Sequence, residues 1–367
     1  MTAIPSGQII EKISRFAAEH IAPRSDLSST GNFPHDLWGK MAQEGLFKIG
    51  IDEFYGGSGG GYRDLSTLAE AFVQYGCNMG LGLSWFYQQI AARFLVAGFG
   101  SEEQKQQLLP QMASGKLTVS FAVSEPKRGA HPKLLTTAAI KDKSFYKISG
   151  EKTYLTNGPI ADIFIVIAIT GYSGERKEYT AFLVPHSTTG LKVSRPFNLN
   201  FFRPAPHGGI IMDNCHLPQT AILGKAGTAY RDMVIPFGRL EDIVMLGTAT
   251  GGMAAQLAML INFIGNDNIT DAKSLDSKLT YLDASIRKLQ KAAFTELEKL
   301  DQDTGYAVSH VIDFINPVSQ FLSDIRGIVD QCNLKTGAAF EYLQTDLQAM
   351  LEIKKKKTGV AVGKGMK

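Results

Sequence analysis

The sequence contains few cysteines and no metal-binding motif. Only 3 Cys occur among 367 residues, at positions 77, 215 and 332, and no two are spaced as CxxC. This scarcity excludes a disulfide-dense scaffold and a zinc framework, and it indicates a reducing compartment. The 7 His residues include no HExxH motif or other paired spacing. We therefore expect no metal centre.

Long hydrophobic runs are also absent. The longest apolar stretch, residues 163–169, has seven residues and is typical of a buried strand, whereas a membrane-spanning helix needs about 20. The N-terminal region places Glu11 and Glu19 among its apolar residues, so it lacks the uninterrupted apolar block of a secretion signal. The sequence thus predicts a cytoplasmic protein with no membrane span.

Charge of one sign is concentrated only at the C-terminus. The formal net charge is +3, but residues 353–367 carry six Lys and no acid, which leaves −3 for the rest of the chain. A nucleic-acid-binding protein would spread Lys and Arg over a folded face. We therefore expect no nucleic-acid partner, and we predict a basic tail at residues 354–367 in which the lysines at 354–357 are solvated or disordered.

Apolar residues, in contrast, are abundant. Hydrophobic residues make up 44% of the chain, with 21 Phe and 12 Tyr, which excludes an intrinsically disordered protein. At about 150 residues per domain, the length predicts two or three domains. The apolar period changes along the chain and predicts an N-terminal helical domain, a central β domain and a C-terminal helical bundle, at residues 1–115, 116–230 and 231–353.

The central section consists of short β-rich runs separated by Gly, Pro, Asn and Asp. Runs of this length and spacing are typical of a compact antiparallel barrel or sandwich rather than of βαβ units. No GxGxxG motif follows a strand, which disfavours a nicotinamide-binding domain. The predicted strands are residues 117–123, 144–149, 163–169, 179–184 and 209–212.

The C-terminal section has four long helical segments, which predict a four-helix bundle. They are residues 236–263, 275–300, 306–330, with a kink at Pro317, and 336–353. The first segment contains Gly247 and Gly251, and each glycine lowers helix stability by about 1 kcal/mol. We therefore expect another backbone or a flat ligand to pack closely against that face of the helix.

Two segments of the central section resemble those of a known family. Residues 119–126, VSFAVSEP, and residues 148–158, ISGEKTYLTNG, are similar in type, order and spacing to the two flavin-contacting segments of the acyl-CoA dehydrogenase family. We call them the first and second signature segments. The resemblance covers roughly residues 1–265 specifically, and the remainder only in architecture; its further matches are at residues 33–38, 55–57, 102–106 and 211–218.

The resemblance implies an α+β, acyl-CoA dehydrogenase-like fold: an N-terminal α-helical domain, a central antiparallel β-barrel or sandwich, and a C-terminal four-helix bundle. It also implies FAD as cofactor. An isoalloxazine ring needs a flat apolar or aromatic wall and hydrogen bonds at its edges. By the resemblance, Tyr154 stacks on the ring and Thr156 donates toward N5. Phe121, Val123 and Ser124 line one edge, although ordinary sheet core also explains Phe121 and Tyr154.

The segment that would meet the FAD phosphates departs from the family. The family has small residues and a serine after the Glu-Pro pair, whereas this chain has residues 127–131, KRGAH. By the resemblance, Ala130 belongs to the turn that binds the cofactor. Lys127 and Arg128 add positive charge that either binds phosphate in a different way or lies in a solvated turn.

The family's reaction needs one carboxylate base, because a proton leaves the carbon α to a thioester carbonyl while a hydride leaves the β carbon. In most members the base lies in a Tyr-Glu-Gly-Thr motif, which the sequence around Glu352 does not resemble. Residues 240–247, LEDIVMLG, fit instead a minority pattern with Glu241 as the base. The helix dipole also favours an acid in a first turn without any catalytic role. Asp242 replaces a residue that is commonly Arg and would raise the pKa of the base.

The resemblance also implies a substrate class and partners. The expected partners are an acyl-CoA or acyl-carrier-protein thioester, an electron acceptor such as an electron-transfer flavoprotein, and further copies of the chain in a homo-oligomeric dimer or tetramer. Two motifs that hold a neighbouring subunit's FAD in the family are replaced at residues 262–267 and 330–337, which weakens the expectation of a tetramer. Trp85 and Phe86 fall where the family closes its acyl pocket, so we expect a short or compact acyl group; core packing explains them equally well.

The sequence leaves two alternative functions open. One is a flavin monooxygenase of the same fold, whose chemistry needs no α-proton base. The other is a non-catalytic binding or assembly subunit with a weakened FAD site, which the departures at residues 262–267 and 330–337 permit.

Overall fold

Helices form the N-terminal part of the protein, as the apolar period predicts. The computed structural model describes residues 6–266, 272–302 and 313–358. Leu65, Leu68, Ala69 and Phe72, spaced at three and four, are all buried, because this spacing places them on one helical face. The helices are α1 Ser6–His20, α2 Asp26–Thr30, α3 His35–Gln43, α4 Tyr62–Gly76, α5 Met79–Ile90, α6 Ala97–Phe99 and α7 Glu102–Ala113.

The central domain is one mixed eight-stranded sheet. Its order is β6-β7-β3-β2-β4-β5-β8, and β1 pairs with β4 in parallel, as does the end of β2. The strands are β1 Val119–Ala122, β2 Ala138–Asp142, β3 Phe145–Thr156, β4 Ile163–Ser173, β5 Arg176–Pro185, β6 Leu191–Val193, β7 His207–Pro218 and β8 Ile222–Leu223. The predicted domain order is confirmed. Most strand pairings are antiparallel, as expected for the central domain, and β1 joins the sheet in parallel with β4.

The C-terminal part is helical, as predicted. Its helices are α8 Ile235–Asn266, α9 Ala272–Gln302, α10 Ile315–Gln331 and α11 Ala338–Thr358. Pro317 lies in the first turn of α10 rather than at a kink. The N–H groups of a first turn have no partner within the helix, so proline, which lacks an N–H, is tolerated there. The predicted helix start at residue 306 lies outside the described residues.

The last helix corrects the prediction of a basic tail from residue 354. Helix α11 continues to Thr358, and Lys354 is only 5% exposed. The lysine run therefore begins inside the bundle, because the helical repeat turns Lys354 toward α8. Residues 359–367 lie outside the described residues.

Helix α8 is the most apolar helix of the bundle. Together with the π-helical turn Tyr230–Val234 that precedes it, it is long and apolar enough to cross a membrane by length and composition alone. However, 78% of its most apolar window is buried inside the protein. A helix that is apolar on all sides and covered by other helices is typical of a protein core.

The glycines of α8 allow two helices to touch backbone to backbone. A Cβ at Gly247 would lie 2.1 Å from the carbonyl oxygen of Ser66, and one at Gly251 would lie 2.5 Å from that of Glu70. Both carbonyls belong to α4. The prediction that another backbone packs against this glycine face is confirmed, and the close contact fixes α8 against the N-terminal domain.

Because of this contact, replacing a glycine of α8 by alanine should change stability in the direction opposite to that expected from helix propensity. We expect Gly251→Ala to lower the free energy of unfolding by about 1–3 kcal/mol, because the new methyl group overpacks the α4–α8 contact. Gly327→Ala in α10 is the matched control: a Cβ there meets nothing within 4 Å, so it should be neutral or stabilise by up to about 1 kcal/mol. Denaturant unfolding of both variants measures the difference, and equal stabilities would contradict the close contact.

Candidate active site

The structure brings the two signature segments together. The amide N–H of Thr153 donates to the carbonyl oxygen of Ser124 at 2.9 Å, and the Lys152 ammonium donates to the carbonyl oxygen of Val123 at 2.9 Å. Residues that lie about thirty positions apart in the sequence therefore form one continuous edge of the central domain.

A buried ion pair lies behind this edge. The Lys152 ammonium, with a side chain that is 0% exposed, contacts the Glu125 carboxylate at 3.2 Å. Glu125 also accepts from the amides of Thr136 and Thr137, each at 2.8 Å. The pair and its hydrogen bonds hold the first signature segment and its following turn in place. Sequence reasoning did not single out these two residues; the signal was two charged residues within otherwise β-rich, apolar segments.

Burial and pairing shift both pKa values of this ion pair. Burial raises the pKa of Glu125, but the hydrogen bonds from Thr137 and the charge of Lys152 outweigh it and bring the pKa to about 2. Burial lowers the pKa of Lys152 to about 8, although the Glu125 charge opposes the shift. Both groups are ionised at neutral pH.

Tyr154 is turned out of the sheet by a bulge. The pairing of β3 with β7 shifts register between Lys152 and Leu155, and Tyr154 has φ +56°. A side chain in this left-handed region is strained, and such strain and bulges occur often at functional sites. Tyr154 is 66% exposed, and its ring meets that of Phe197 edge to face, 5.5 Å between ring centroids. The uncovered ring face fits the flat wall that a flavin needs.

The other predicted flavin contacts lie on the same two segments. Phe121 and Ser124 are half-buried, Val123 is 7% exposed, and Thr156 ends β3, where its carbonyl oxygen accepts from the Ser120 hydroxyl at 2.8 Å. Backbone and hydroxyl groups at strand ends are thus available beside Tyr154. This donor set fits the edge of an isoalloxazine ring.

The turn after the first signature segment is tied to the start of the bundle. The carbonyl oxygen of Ala130 accepts from the Tyr230 hydroxyl at 2.7 Å. The Arg128 guanidinium turns back toward its own segment and lies 3.6 Å from Glu125. Lys127 is exposed, with φ +62°, and a Cβ at Gly129 would meet nothing within 4 Å. Of the two added cations, Lys127 is therefore the one presented outward beside an open turn.

The candidate base lies next to these segments. Phe237 is one helical turn before Glu241 on α8, and its ring centroid is 4.8 Å from that of Phe121 in the first signature segment. The Tyr87 hydroxyl on α5 donates to Glu241 Oε1. Phe94 completes the aromatic cluster, 6.1 Å from Phe237. The structure thus brings Glu241 and the proposed flavin edge to one site between α5, α8 and the sheet.

Two π-helical turns flank this site. One, Ala91–Val96, directly follows α5, and the other, Tyr230–Val234, directly precedes α8. Such turns are rare and are frequent at functional sites. Here they carry Phe94 and Tyr230, which contact the aromatic cluster and the Ala130 turn.

The charge of Asp242 beside the base is compensated from another helix. The Lys354 ammonium on α11 donates to Asp242 Oδ2 and lies over the Phe314 ring at 5.6 Å. The lysine side chain is 6% exposed and the aspartate side chain 20%. The expectation of an added negative charge beside Glu241 therefore needs correction, since a buried cation from the last helix pairs with Asp242.

The structure does not support Trp85 and Phe86 as walls of an acyl pocket. Both side chains are 0% exposed. The Trp85 indole donates to the carbonyl oxygen of Leu46 at 3.0 Å and stacks on Phe72. These contacts belong to the core of the helical domain. The adjacent Tyr87 is the aromatic residue of α5 that reaches the candidate base.

Metal-ligating side chains do not cluster in the described parts of the chain. Over residues 6–266, 272–302 and 313–358, no group of three or more His, Cys, Asp or Glu could hold a metal ion. The candidate site described above therefore consists of aromatic, carboxylate and backbone groups.

Comparison with known proteins identifies sequence relatives. The acyl-CoA dehydrogenase N-terminal domain model matches residues 6–116, and the middle domain model matches residues 120–215. A 3-(aryl)acrylate reductase of Clostridium sporogenes is 32% identical over 225 residues, covering 61% of this chain and 59% of that protein. An L-prolyl-[peptidyl-carrier protein] dehydrogenase of Pseudomonas fluorescens is 31% identical over 250 residues, covering 68% and 65%. The chain thus spans less than two thirds of the length of these relatives.

The fold also matches solved structures over nearly the whole chain. Butyryl-CoA dehydrogenase from Megasphaera elsdenii has a TM-score of 0.81 with 19% sequence identity, covering 97% of this chain and 94% of that one. At this identity the likeness concerns the fold alone. The C-terminal bundle therefore shares the architecture of that protein, while the sequence likeness is carried by the N-terminal and central domains.

Proposed function

Because this chain belongs to the acyl-CoA dehydrogenase family, we propose that it is an FAD-dependent oxidoreductase that forms an α,β-double bond in an acyl thioester. One observation carries the proposal: Glu241 is one helical turn from Phe237, whose ring contacts Phe121 of the first signature segment at 4.8 Å. The neighbouring positions of the candidate base and the candidate flavin edge support removal of an α-proton and a β-hydride from one substrate.

FAD is the proposed cofactor, and the chain offers groups for its parts. Tyr154 would cover the ring, Thr156 would donate at its edge, and the segment around Val123 and Ser124 would supply backbone contacts. The open turn at Gly129 and Ala130, with Lys127 beside it, would receive the phosphates. When bound, FAD supplies the hydride acceptor.

The protein's own residues then accept the proton and exclude the solvent. Glu241 accepts the α-proton, and the rings of Phe94, Phe121 and Phe237 exclude water from the space in front of it. Exclusion of water strengthens the electrostatic effect of each charged group in the site. A flavin monooxygenase or a non-catalytic subunit would need no carboxylate at this place, so the position of Glu241 favours dehydrogenation over both alternatives.

The carrier of the acyl group, the electron acceptor and the assembly are further proposals. The carrier-protein specificity named for the Pseudomonas fluorescens relative supports a thioester linked to a carrier protein as well as to coenzyme A. An electron-transfer flavoprotein is the proposed electron acceptor, and a homo-oligomer is the proposed assembly. We expect a short or compact acyl group, because bulky aromatic side chains crowd the space beside Glu241.

The direct test is reconstitution with FAD followed by thioester reduction. We expect the purified protein to bind FAD stoichiometrically, and we expect butyryl-coenzyme A or a compact carrier-protein thioester to bleach the flavin under anaerobic conditions faster than a long straight-chain thioester does. Failure to bind FAD at saturation would overturn the cofactor. Binding without bleaching by any thioester would favour the alternative functions.

FAD binding also predicts a role for the uncovered ring of Tyr154. We expect Tyr154→Ala to weaken FAD binding by about 2- to 10-fold, since aromatic stacking contributes about 0.5–1.5 kcal/mol. Tyr172→Ala is the matched control, because Tyr172 on β4 is 64% exposed and lies outside the signature segments. Titration of FAD into each variant, followed by flavin fluorescence, measures the two affinities. Equal affinities would show that Tyr154 does not stack on the flavin.

A further inference from the structure

The hydrogen bond between Tyr87 and Glu241 joins two helices across the candidate site. It connects α5 of the N-terminal domain with α8 of the bundle, and its acceptor is the carboxylate proposed as the base. Tyr87 belongs to neither signature segment, and no sequence motif pointed to it. The role of this contact rests on the proposed function, in which Glu241 is the base.

We propose that Tyr87 is a positioning residue for the base: its hydroxyl donates to Oε1 of Glu241 and orients the carboxylate that receives the α-proton. A glutamate side chain has three rotatable torsions and does not fix its carboxylate by itself. Proton transfer, however, requires the acceptor oxygen within hydrogen-bond reach of the proton. The Tyr87 hydroxyl, which comes from a second helix, restricts the orientation of this carboxylate.

The surroundings of Tyr87 are rigid enough for this role. Its ring meets Phe86 edge to face, 5.4 Å between centroids, and lies 6.3 Å from Phe237. The start of α5 is fixed because the Asn78 side chain accepts from the Leu81 amide at 2.8 Å. A tyrosine has only two side-chain torsions, so packing on both sides of the ring defines where the hydroxyl points.

Charged residues flank Glu241 in the sequence, and two neighbouring helices contribute polar groups. Arg239 and Asp242 lie on its own helix α8, Lys354 comes from α11 and pairs with Asp242, and Tyr87 comes from α5. The Asp242–Lys354 pair carries no net charge as a unit. The Tyr87 hydroxyl donates directly to the carboxylate. Its removal therefore alters the pKa of Glu241 without removing any charged residue from the site.

The hydrogen bond from Tyr87 shifts the pKa of Glu241 in one defined direction, which a purely structural role of Tyr87 would not do. A hydrogen bond to a carboxylate favours its ionised form and so lowers its pKa. Flavin reduction needs ionised Glu241, so its rate rises with pH through that pKa. In Tyr87→Phe the pKa of Glu241 rises and this ascending limb moves to higher pH.

The experiment compares the reconstituted parent, Tyr87→Phe and Tyr55→Phe in anaerobic stopped flow with the thioester that bleaches the parent fastest. We expect Tyr87→Phe to shift the ascending limb upward by about one pH unit and to lower the high-pH plateau by about 3- to 10-fold. Tyr55→Phe is the matched control, because the Tyr55 hydroxyl donates to Glu102 at 3.0 Å on the surface; it should leave both unchanged. A lower plateau with an unshifted limb would overturn the proposal.

A second measurement needs no substrate. The hydrogen bond stabilises the folded protein most where Glu241 is ionised, and this stabilisation decreases as the pH falls and the carboxylate is protonated. The difference in Tm between parent and Tyr87→Phe should therefore be larger at pH 7 than at pH 4. In the Glu241→Gln background the difference should not depend on pH, because no proton binds at that position.

The two measurements separate failure of this inference from failure of the proposed function. A pH-independent Tm difference in the parent background would overturn the role of Tyr87, whatever the reaction is. Unimpaired bleaching by Glu241→Gln would overturn the base itself.

Discussion

The Glu241→Gln variant should bind FAD and thioester as the parent does, yet bleach the flavin about 10²–10⁴-fold more slowly. Loss of a general base raises the barrier by about 3–5 kcal/mol. Glutamine preserves the size of the side chain and its carbonyl oxygen still accepts from Tyr87, so the site keeps its shape while it loses the proton acceptor. Rapid-mixing measurement of flavin bleaching at saturating thioester gives the rate directly.

Glu352→Gln is the control for this experiment. Glu352 is the next candidate base after Glu241, and in the structure it pairs with Lys355 at 3.2 Å on α11. We expect this variant to bleach as the parent does. If Glu241→Gln kept the parental rate and Glu352→Gln lost it, the base would lie on α11 instead.

Lys152→Met should have the largest effect on stability. Removal of one partner from a buried ion pair leaves the other charge uncompensated and lowers the free energy of unfolding by about 3–5 kcal/mol. Here the remaining charge is the Glu125 carboxylate, which is 3% exposed and would keep the partly exposed Arg128 guanidinium, at 3.6 Å, as a weaker counter-charge. Because Lys152 also donates to the carbonyl oxygen of Val123, the variant should lose FAD affinity together with stability.

Lys147→Met is the matched control on the same strand. Lys147 pairs with Asp142 at 2.9 Å, but the two side chains are 39% and 49% exposed, and exposed pairs contribute about 0–1 kcal/mol. Denaturant unfolding should therefore separate the two variants by several kcal/mol. The double variant Glu125→Gln, Lys152→Met should recover part of the loss, since no unpaired charge remains buried. Equal stabilities of the two single variants would contradict the importance of the buried pair.

Local patterns predicted the helices and the close helix contact because both depend on neighbouring residues. The spacing of Leu65, Leu68 and Phe72 defines a helical face directly. Gly247 and Gly251 lie four positions apart, so they lie on one side of a helix, and their missing side chains predicted a close backbone partner. Neither inference required knowledge of which element packs there.

The errors concern partners distant in the sequence. A continuous apolar run indicates that residues 163–169 form a strand, but it does not show that β1 joins this strand in parallel. Trp85, Phe86 and Tyr87 are consecutive aromatic residues, and each helical position turns by about 100°. Only the packing of α5 shows that Tyr87, and not Trp85 or Phe86, meets Glu241. Lys354 looked solvated among four lysines because its partner Asp242 is 112 positions away.

The backbone contact between α4 and α8 constrains attempts to alter the substrate range. With no side chains between Gly247 or Gly251 and the carbonyls of Ser66 and Glu70, α8 has no room to slide or roll toward the N-terminal domain. Directed evolution for a larger acyl group should therefore enlarge the site by trimming aromatic residues such as Phe94 rather than by shifting α8. Mutant libraries that diversify the glycine face of α8 should yield mostly unfolded protein.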